Sequence, residues 1–306
     1  MFNPNEATAP PVAEDSESYL PQAVGAATKP QPTNADDPAW GVGSALFVWI
    51  ASMLLIVFMP LLFLLPYAAS KGLNISDPGY VKALAELALT DKTAVLLQVI
   101  ALLPSHLLTV ALIWAVVTRL GKKPFWASLG WGWSSQFEVW LWIALGVGLF
   151  MVGSTLAWLL GSGKPTQLEQ IINSSLAARY TISILAVGTA PFVEEFMYRG
   201  VLYAPLQRLA GAPTAVVLVL ALFTIIHVPQ YWPNMGVIAA VALLSIALTL
   251  VRAYTHRLLP CIIIHLVFNG IQAVLLIVEP YAQRFLPHGE PVNPTFILLP
   301  LTHLIR

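Results

Sequence analysis

Three short groups of polar residues stand in stretches of the chain that otherwise carry almost no charge, and their types and spacings suit proton transfer. The first is Pro191 to Gly200 (PFVEEFMYRG), which holds Glu194, Glu195 and Arg199. On a helix, residues four apart share a face, so Glu195 and Arg199 pair in the favoured order, carboxylate before cation. Glu194 lies about 100° further round. It is less able to share that arginine and is left free to take up and return a proton, as a general base and acid must. The second group, Ala221 to His227 (ALFTIIH), puts Phe223 and His227 on one face, and the third, His265 to Gly270 (HLVFNG), does the same for His265 and Asn269. Taken singly, each histidine reads as a hydrogen-bonded packing residue and Asn269 as a polar link between helices. Taken together, a carboxylate and two imidazoles could activate water.

The elements that must position them are membrane spans. An ionisable side chain at the centre of a bilayer costs about 2.5–3.5 kcal/mol on insertion scales, so it faces the bundle interior and marks function. Charge-free runs near the length that crosses a bilayer, about 20 residues, recur along the chain. Spans are expected at about Ala45 to Leu65, bent at Pro60, at Ala94 to Val117, and at Val139 to Leu160, where Ala144 and Gly148 offer a face for close packing. Further spans are expected at Tyr180 to Leu206, on either side of Val228 to Asn234 (VPQYWPN), and at Leu259 to Val278. Residues 166–178 (TQLEQIINSSLAA) are too polar to span and suit an interfacial helix. Trp126, Trp131, Trp133, Trp140 and Trp142, with Lys122 and Lys123, suit a headgroup-level loop. Phe296 to Ile305 is short, which leaves seven or eight spans in an all-α polytopic membrane helix bundle. At 1.5 Å per residue, Glu194, His227 and His265 fall about 15, 21 and 10 Å from one shared face, close enough to meet.

Composition agrees. Of 306 residues 58% are hydrophobic and 10% charged, against about 25% charged in soluble chains. Lys plus Arg and Asp plus Glu are 15 each, so no basic excess points to nucleic acid. The single Cys261 excludes an internal disulfide and a zinc ribbon. Gly161 to Pro165 (GSGKP) lacks the spacing of a phosphate loop, and neither GxSxG nor HExxH occurs. The organisation expected is a disordered Pro/Ala/acidic tail over 1–40, N-terminal spans and an interfacial loop over 41–134, a catalytic helical core over 135–280, and a C-terminal segment over 281–306. The first apolar stretch, without a basic start before it, should remain as an uncleaved anchor. On the N-terminal side lie Lys29, Arg119, Lys122, Lys123, Arg208, Arg252 and Arg257; opposite lie Lys71, Lys82, Lys92, Lys164, Arg179 and Arg284. The positive-inside rule therefore leans, by one residue, to a cytoplasmic N-terminus.

The three groups, read as EExxxR, FxxxH and HxxxN in that order on separate spans, resemble the CAAX prenyl protease and bacteriocin-processing (Abi) family of intramembrane endopeptidases. The resemblance covers about residues 135–280. It implies a water activated by Glu194 with help from His227, an oxyanion stabilised by His265 and Asn269, and support from Glu195, Arg199 and Phe223. Members have been described as metal-dependent, and Glu194, His227 and His265 have the chemistry to bind zinc. A glutamate base needs no metal, so no cofactor is favoured, with zinc the one left open. The expected partners are membrane lipid and a membrane-associated peptide or protein, either prenylated or a leader peptide, in a bacterial plasma membrane. The rival expectations are a non-enzymatic immunity or adaptor protein, and a proton-coupled transporter, for which no internal repeat is visible.

Overall fold

In lipid every backbone N–H and C=O must be satisfied within its own segment, which leaves the helix as the natural state for the apolar runs of this chain. The structure is a computed structural model and describes residues 35–135 and 137–282. In chain order the helices are α1 (Val42–Ser70), α2 (Tyr80–Thr90), α3 (Lys92–Ile100), α4 (Leu102–Val117), α5 (Phe125–Ser128), α6 (Val139–Leu159) and α7 (Gln167–Ser174). There follow α8 (Leu176–Gly188), α9 (Ala190–Glu195), a π-helical segment (Phe196–Leu202), α10 (Tyr203–Ala210), α11 (Ala212–Tyr231), α12 (Met235–Thr255) and α13 (Leu259–Ala282). No strand occurs among the described residues.

Among the described residues six stretches are long and apolar enough to cross a membrane: α1, α3 with α4 (Lys92–Val117), α6, α11, α12 and α13. The stretch α8 to α10 makes a seventh if its two parts, bent by 40°, count as one span. The all-α polytopic expectation therefore holds. Most of the tail and the stretch considered for an eighth span lie outside the described residues.

The ends of these helices follow local chemistry. Asp91 caps α3 by accepting from Thr93 and Ala94 N–H, and Thr166 with Glu169 forms a reciprocal capping box at α7. Ser175 and Asn234 cap α8 and α12. The interfacial segment expected over 166–178 thus divides into α7 and the first turn of α8.

Packing corrects several details. The close face of α6 is not Ala144 and Gly148, since a Cβ on Gly148 would meet nothing within 4 Å. It is Gly146, Phe150, Gly153 and Ala157, at heptad-like spacing; a Cβ on Gly146 would stand 2.8 Å from Val267, and one on Gly236 of α12 2.2 Å from Leu156 O. Those glycines let α6 lie against both α12 and α13. Trp142 is buried in that contact and does not face the headgroups. The VPQYWPN break falls late: α11 continues past Pro229 to Tyr231, and the Trp232–Pro233 peptide is cis. The helix α1 likewise runs on through Pro60 and Pro66, and α2 was not anticipated.

The end of the expected tail is packed. Trp40 is buried and donates from Nε1 to Val201 O at 3.0 Å, while Asp37 pairs with Arg208 at 2.8 Å and Asp36 with Arg252 at 3.0 Å. Partners distant in sequence offset the chain entropy of ordering residues 35–40, which composition had placed in the tail.

Candidate active site

The span expected at 180–206 as one helix is broken where the site begins. Pro191 enters at the start of α9, the position at which its missing N–H costs least, and Thr189 adopts a non-helical φ of −129° just before it. The α9 turn carries Glu194 and Glu195, and the helix then widens into the π segment, all seven residues of which are buried. Such segments recur at functional sites because they redirect side chains that a regular helix would place elsewhere. Gly200 lets the Leu129 side chain pack closely there, since a Cβ would come within 2.8 Å of it.

The two glutamates part company as their spacing predicts. Glu195 is fully buried and bonded to Arg199 Nη1 at 3.0 Å. Arg199 is equally buried and spends its other donors on Thr249 Oγ1 and on the carbonyl and hydroxyl of Ser245, while its guanidinium lies over the Phe223 ring at 4.9 Å. That gives Phe223 its supporting part. Glu194 retains 24% side-chain exposure and faces a cavity of ≈ 240 Å³ between the helices.

His265 and His227 line the same cavity. His265 Nδ1 sits 2.8 Å from Glu195 Oε1, and its Nε2 points at Glu194 Oε2 across 3.7 Å. A carboxylate only accepts, so Nδ1 carries the hydrogen and the Arg199–Glu195–His265 chain fixes the ring's orientation. His227 Nδ1 is 2.7 Å from Phe223 O. The carbonyl can only accept, which makes Nδ1 the N–H and leaves Nε2 as a lone pair. The His227 ring is held by stacking on Phe223, centroids 4.5 Å apart, and lies nearly parallel to Tyr231. Asn269 also lines the cavity and donates from Nδ2 to Ala186 O at 2.9 Å, which anchors its amide and leaves one N–H over.

All four residues expected to act on substrate therefore meet at one cavity. Sequence reasoning passed over others in its wall: His106, Thr109, Tyr198, Gln230 and Tyr231. His106 carried the signal that singled out His227, an ionisable ring in a charge-free span, but without a partner four residues away.

As a zinc centre the arrangement does not fit. Glu194 and His265 supply two converging donors, but among the described residues no three His, Cys, Asp or Glu side chains stand together so as to hold one ion.

Residues 177–271 match the family model described as Rce1-like, type II CAAX prenyl endopeptidase Rce1-like. That segment contains all three motifs. The match supports an intramembrane protease activity of the CAAX type in general terms. No curated protein and no solved structure matches the chain.

Proposed function

Taking residues 177–271 as a core of the type II CAAX prenyl endopeptidase Rce1-like family, we propose that this protein is an intramembrane endopeptidase that hydrolyses peptide bonds of membrane-associated substrates with a water activated by Glu194. The observation that carries the reading is the unequal placing of the paired glutamates: Glu195 is sealed against Arg199, while Glu194 faces the cavity beside His265. A purely structural pair of charges would have no reason to leave one carboxylate facing a largely apolar hollow inside the bundle with no arginine of its own.

The chemistry follows from the donors and acceptors in place. A water between Glu194 and the substrate gives a proton to the carboxylate as its oxygen bonds to the peptide carbonyl carbon. His227 Nε2, with its lone pair, accepts the water's other hydrogen and aims the attack. The carbonyl oxygen becomes an oxyanion, which needs donors already in position. His265 supplies one from Nε2 as the imidazolium, since its Nδ1 hydrogen is committed to Glu195. The free N–H of Asn269 supplies a second. Collapse of the intermediate breaks the C–N bond, and the proton on Glu194 passes to the leaving amine. One water is consumed, and a carboxylic acid and an amine result, the acid then passing its proton to the amine. In the imidazolium state the cluster of Arg199, Glu195, His265 and Glu194 sums to zero charge, which suits a low-dielectric interior.

The substrate class we propose is a prenylated CAAX-type peptide or a leader peptide held at the bilayer, with membrane lipid as the surrounding partner. We place the protein in a bacterial plasma membrane, with the N-terminus cytoplasmic.

Glu194→Gln tests the reading, because it preserves size and hydrogen bonding while removing the base. Cleavage of a prenylated reporter peptide in liposomes should fall about 10²–10⁴-fold, the usual worth of a positioned general base. The purified variant should keep the wild-type elution profile and melting temperature. Undiminished processing by that variant would overturn the assignment of Glu194 as the base that activates the water.

A further inference from the structure

The cavity holds a third imidazole that none of the three motifs includes and that lies outside the matched segment. His106 stands on α4, contributed by the N-terminal spans, and lines the same hollow as Glu194, His227 and His265. Its Nδ1 is 2.8 Å from Thr189 Oγ1, and that hydroxyl is in turn 3.2 Å from Leu185 O. The carbonyl can only accept. For both contacts to be hydrogen bonds the hydroxyl hydrogen points at Leu185 O, and His106 Nδ1 donates. This is the wiring found at His227: a ring tied through Nδ1 to backbone or near-backbone oxygen, with Nε2 left as an acceptor.

Thr189 is also the residue at which α8 ends and α9 begins. His106 is thereby held from the hinge that carries Glu194, and the residue lines the cavity. A ring needed only as a helix tie would be served by its Nδ1 alone.

On the protease reading, we propose that His106 is a substrate-positioning residue, whose Nε2 accepts a hydrogen bond from a backbone N–H of the peptide lying in the cavity. The catalytic groups supply donors for the scissile carbonyl and a base for the water. An extended peptide also presents N–H groups, and one that enters a bundle interior without an acceptor leaves a polar group unsatisfied. His106 answers that need from the wall contributed by the other half of the chain. In this way the N-terminal spans take part in binding as well as in enclosing the core.

Two substitutions separate the two edges of the ring. Asn at 106 keeps a polar atom near the Nδ1 position and can hold Thr189, but has nothing where Nε2 was. Gln places its terminal amide near the Nε2 position and gives up the tie. The probe is a prenylated reporter peptide in liposomes, with kcat and KM measured for each variant and, in the Glu194→Gln background, binding of the uncut peptide. His106→Asn should raise KM and weaken binding by about 3- to 10-fold, the worth of one hydrogen bond, with kcat much less affected. His106→Gln should recover part of that loss. A His106→Asn protein that matches the wild type, or equal losses in both variants, would overturn the assignment and reduce His106 to a tie between α4 and the hinge. Because binding is read without turnover, a wild type that binds the peptide but cannot cut it would sink the protease reading while leaving the test of His106 intact.

Discussion

Among the described residues two arginines are wholly buried, Arg199 and Arg252, and the molecule uses them in opposite ways. Arg199 and Arg252 each pair with a carboxylate at 3.0 Å, and each guanidinium lies near an aromatic ring, Phe223 for the first and Tyr203 for the second. Arg199 takes its partner from the same helical stretch, four residues back, and every one of its nitrogens has an acceptor. Arg252 reaches 216 residues back to Asp36, and its Nε finds no acceptor among the described residues. In the first pair every nitrogen of Arg199 is satisfied, although Glu195 Oε2 finds no partner among the described residues, and Glu195 Oε1 holds the imidazole of His265, to which we assign a catalytic part. The second fastens the segment 35–40 over the far ends of α10 and α12, with His256 adding a contact to Asp36 at 2.5 Å. Satisfaction of every Arg199 nitrogen goes with fixing a ring that lines the cavity, whereas a looser pairing suffices for a clasp.

The largest effects should come from splitting the first pair. Arg199→Met leaves Glu195 buried without its cation, and breaking such a pair from one side costs about 3–5 kcal/mol. Loss of the folded protein in detergent and loss of cleavage are both expected. Replacing both members, Glu195→Leu with Arg199→Met, removes the uncompensated charge, so the melting temperature should recover most of the way. Activity should not recover, because His265 Nδ1 then has no carboxylate to hold it. A double variant that both folds and cleaves would show that the pair has no part in orienting His265, and the distinction between the two arginines would fail.

A smaller effect is expected at the clasp. Asp36→Asn keeps an acceptor for Arg252 but removes the charge, and the side chain of Asp36 is 21% exposed, so solvent relieves part of the loss. The expected result is a modest drop in melting temperature with kcat/KM per folded molecule unchanged. Limited proteolysis should show faster cutting near residues 35–40, since that segment is ordered mainly by these contacts. A fall in kcat/KM comparable with that of Arg199→Met would mean that the clasp shapes the cavity too.

The same comparison explains what could be read from the sequence. Spacing rules reach as far as one helix, and so Glu195 with Arg199, the freedom of Glu194, and the Phe223–His227 and His265–Asn269 faces were all legible from residues four apart. The apolar runs were legible because lipid admits few alternatives to the helix. Asp36 with Arg252 was not, because no local rule links residues at opposite ends of a chain. The break at Thr189 and the π segment after it were hidden for a different reason: a 3.6-residue period was assumed through a stretch whose hydrogen bonding departs from it. The face of α6 was misplaced because Ala144–Gly148 and Gly146–Gly153 offer equally small residues, and only the neighbouring helices decide between them.

A half-buried charge supplies the lower end of the scale. Asp91 lies between α2 and α3, and its Oδ1 accepts from Ala94 N–H, Thr93 N–H and the Tyr67 hydroxyl, each at 2.9 Å. The Ala94 N–H bond, more than any other contact, holds this carboxyl below the usual carboxylate range. A depressed folded-state value means that the stabilisation is fully present above the unfolded value, near pH 4 for a free Asp, and is lost as pH falls through the lower folded value. Asp91→Asn should therefore lower the melting temperature slightly at neutral pH, and the gap from wild type should close on acidification below that range. Since the group is only partly buried, the gap should also be smaller than that caused by either arginine variant. A gap that stayed constant down to the acid limit would show that Asp91 acts through shape and hydrogen bonding alone, and that charge contributes to this protein's stability only where it is buried.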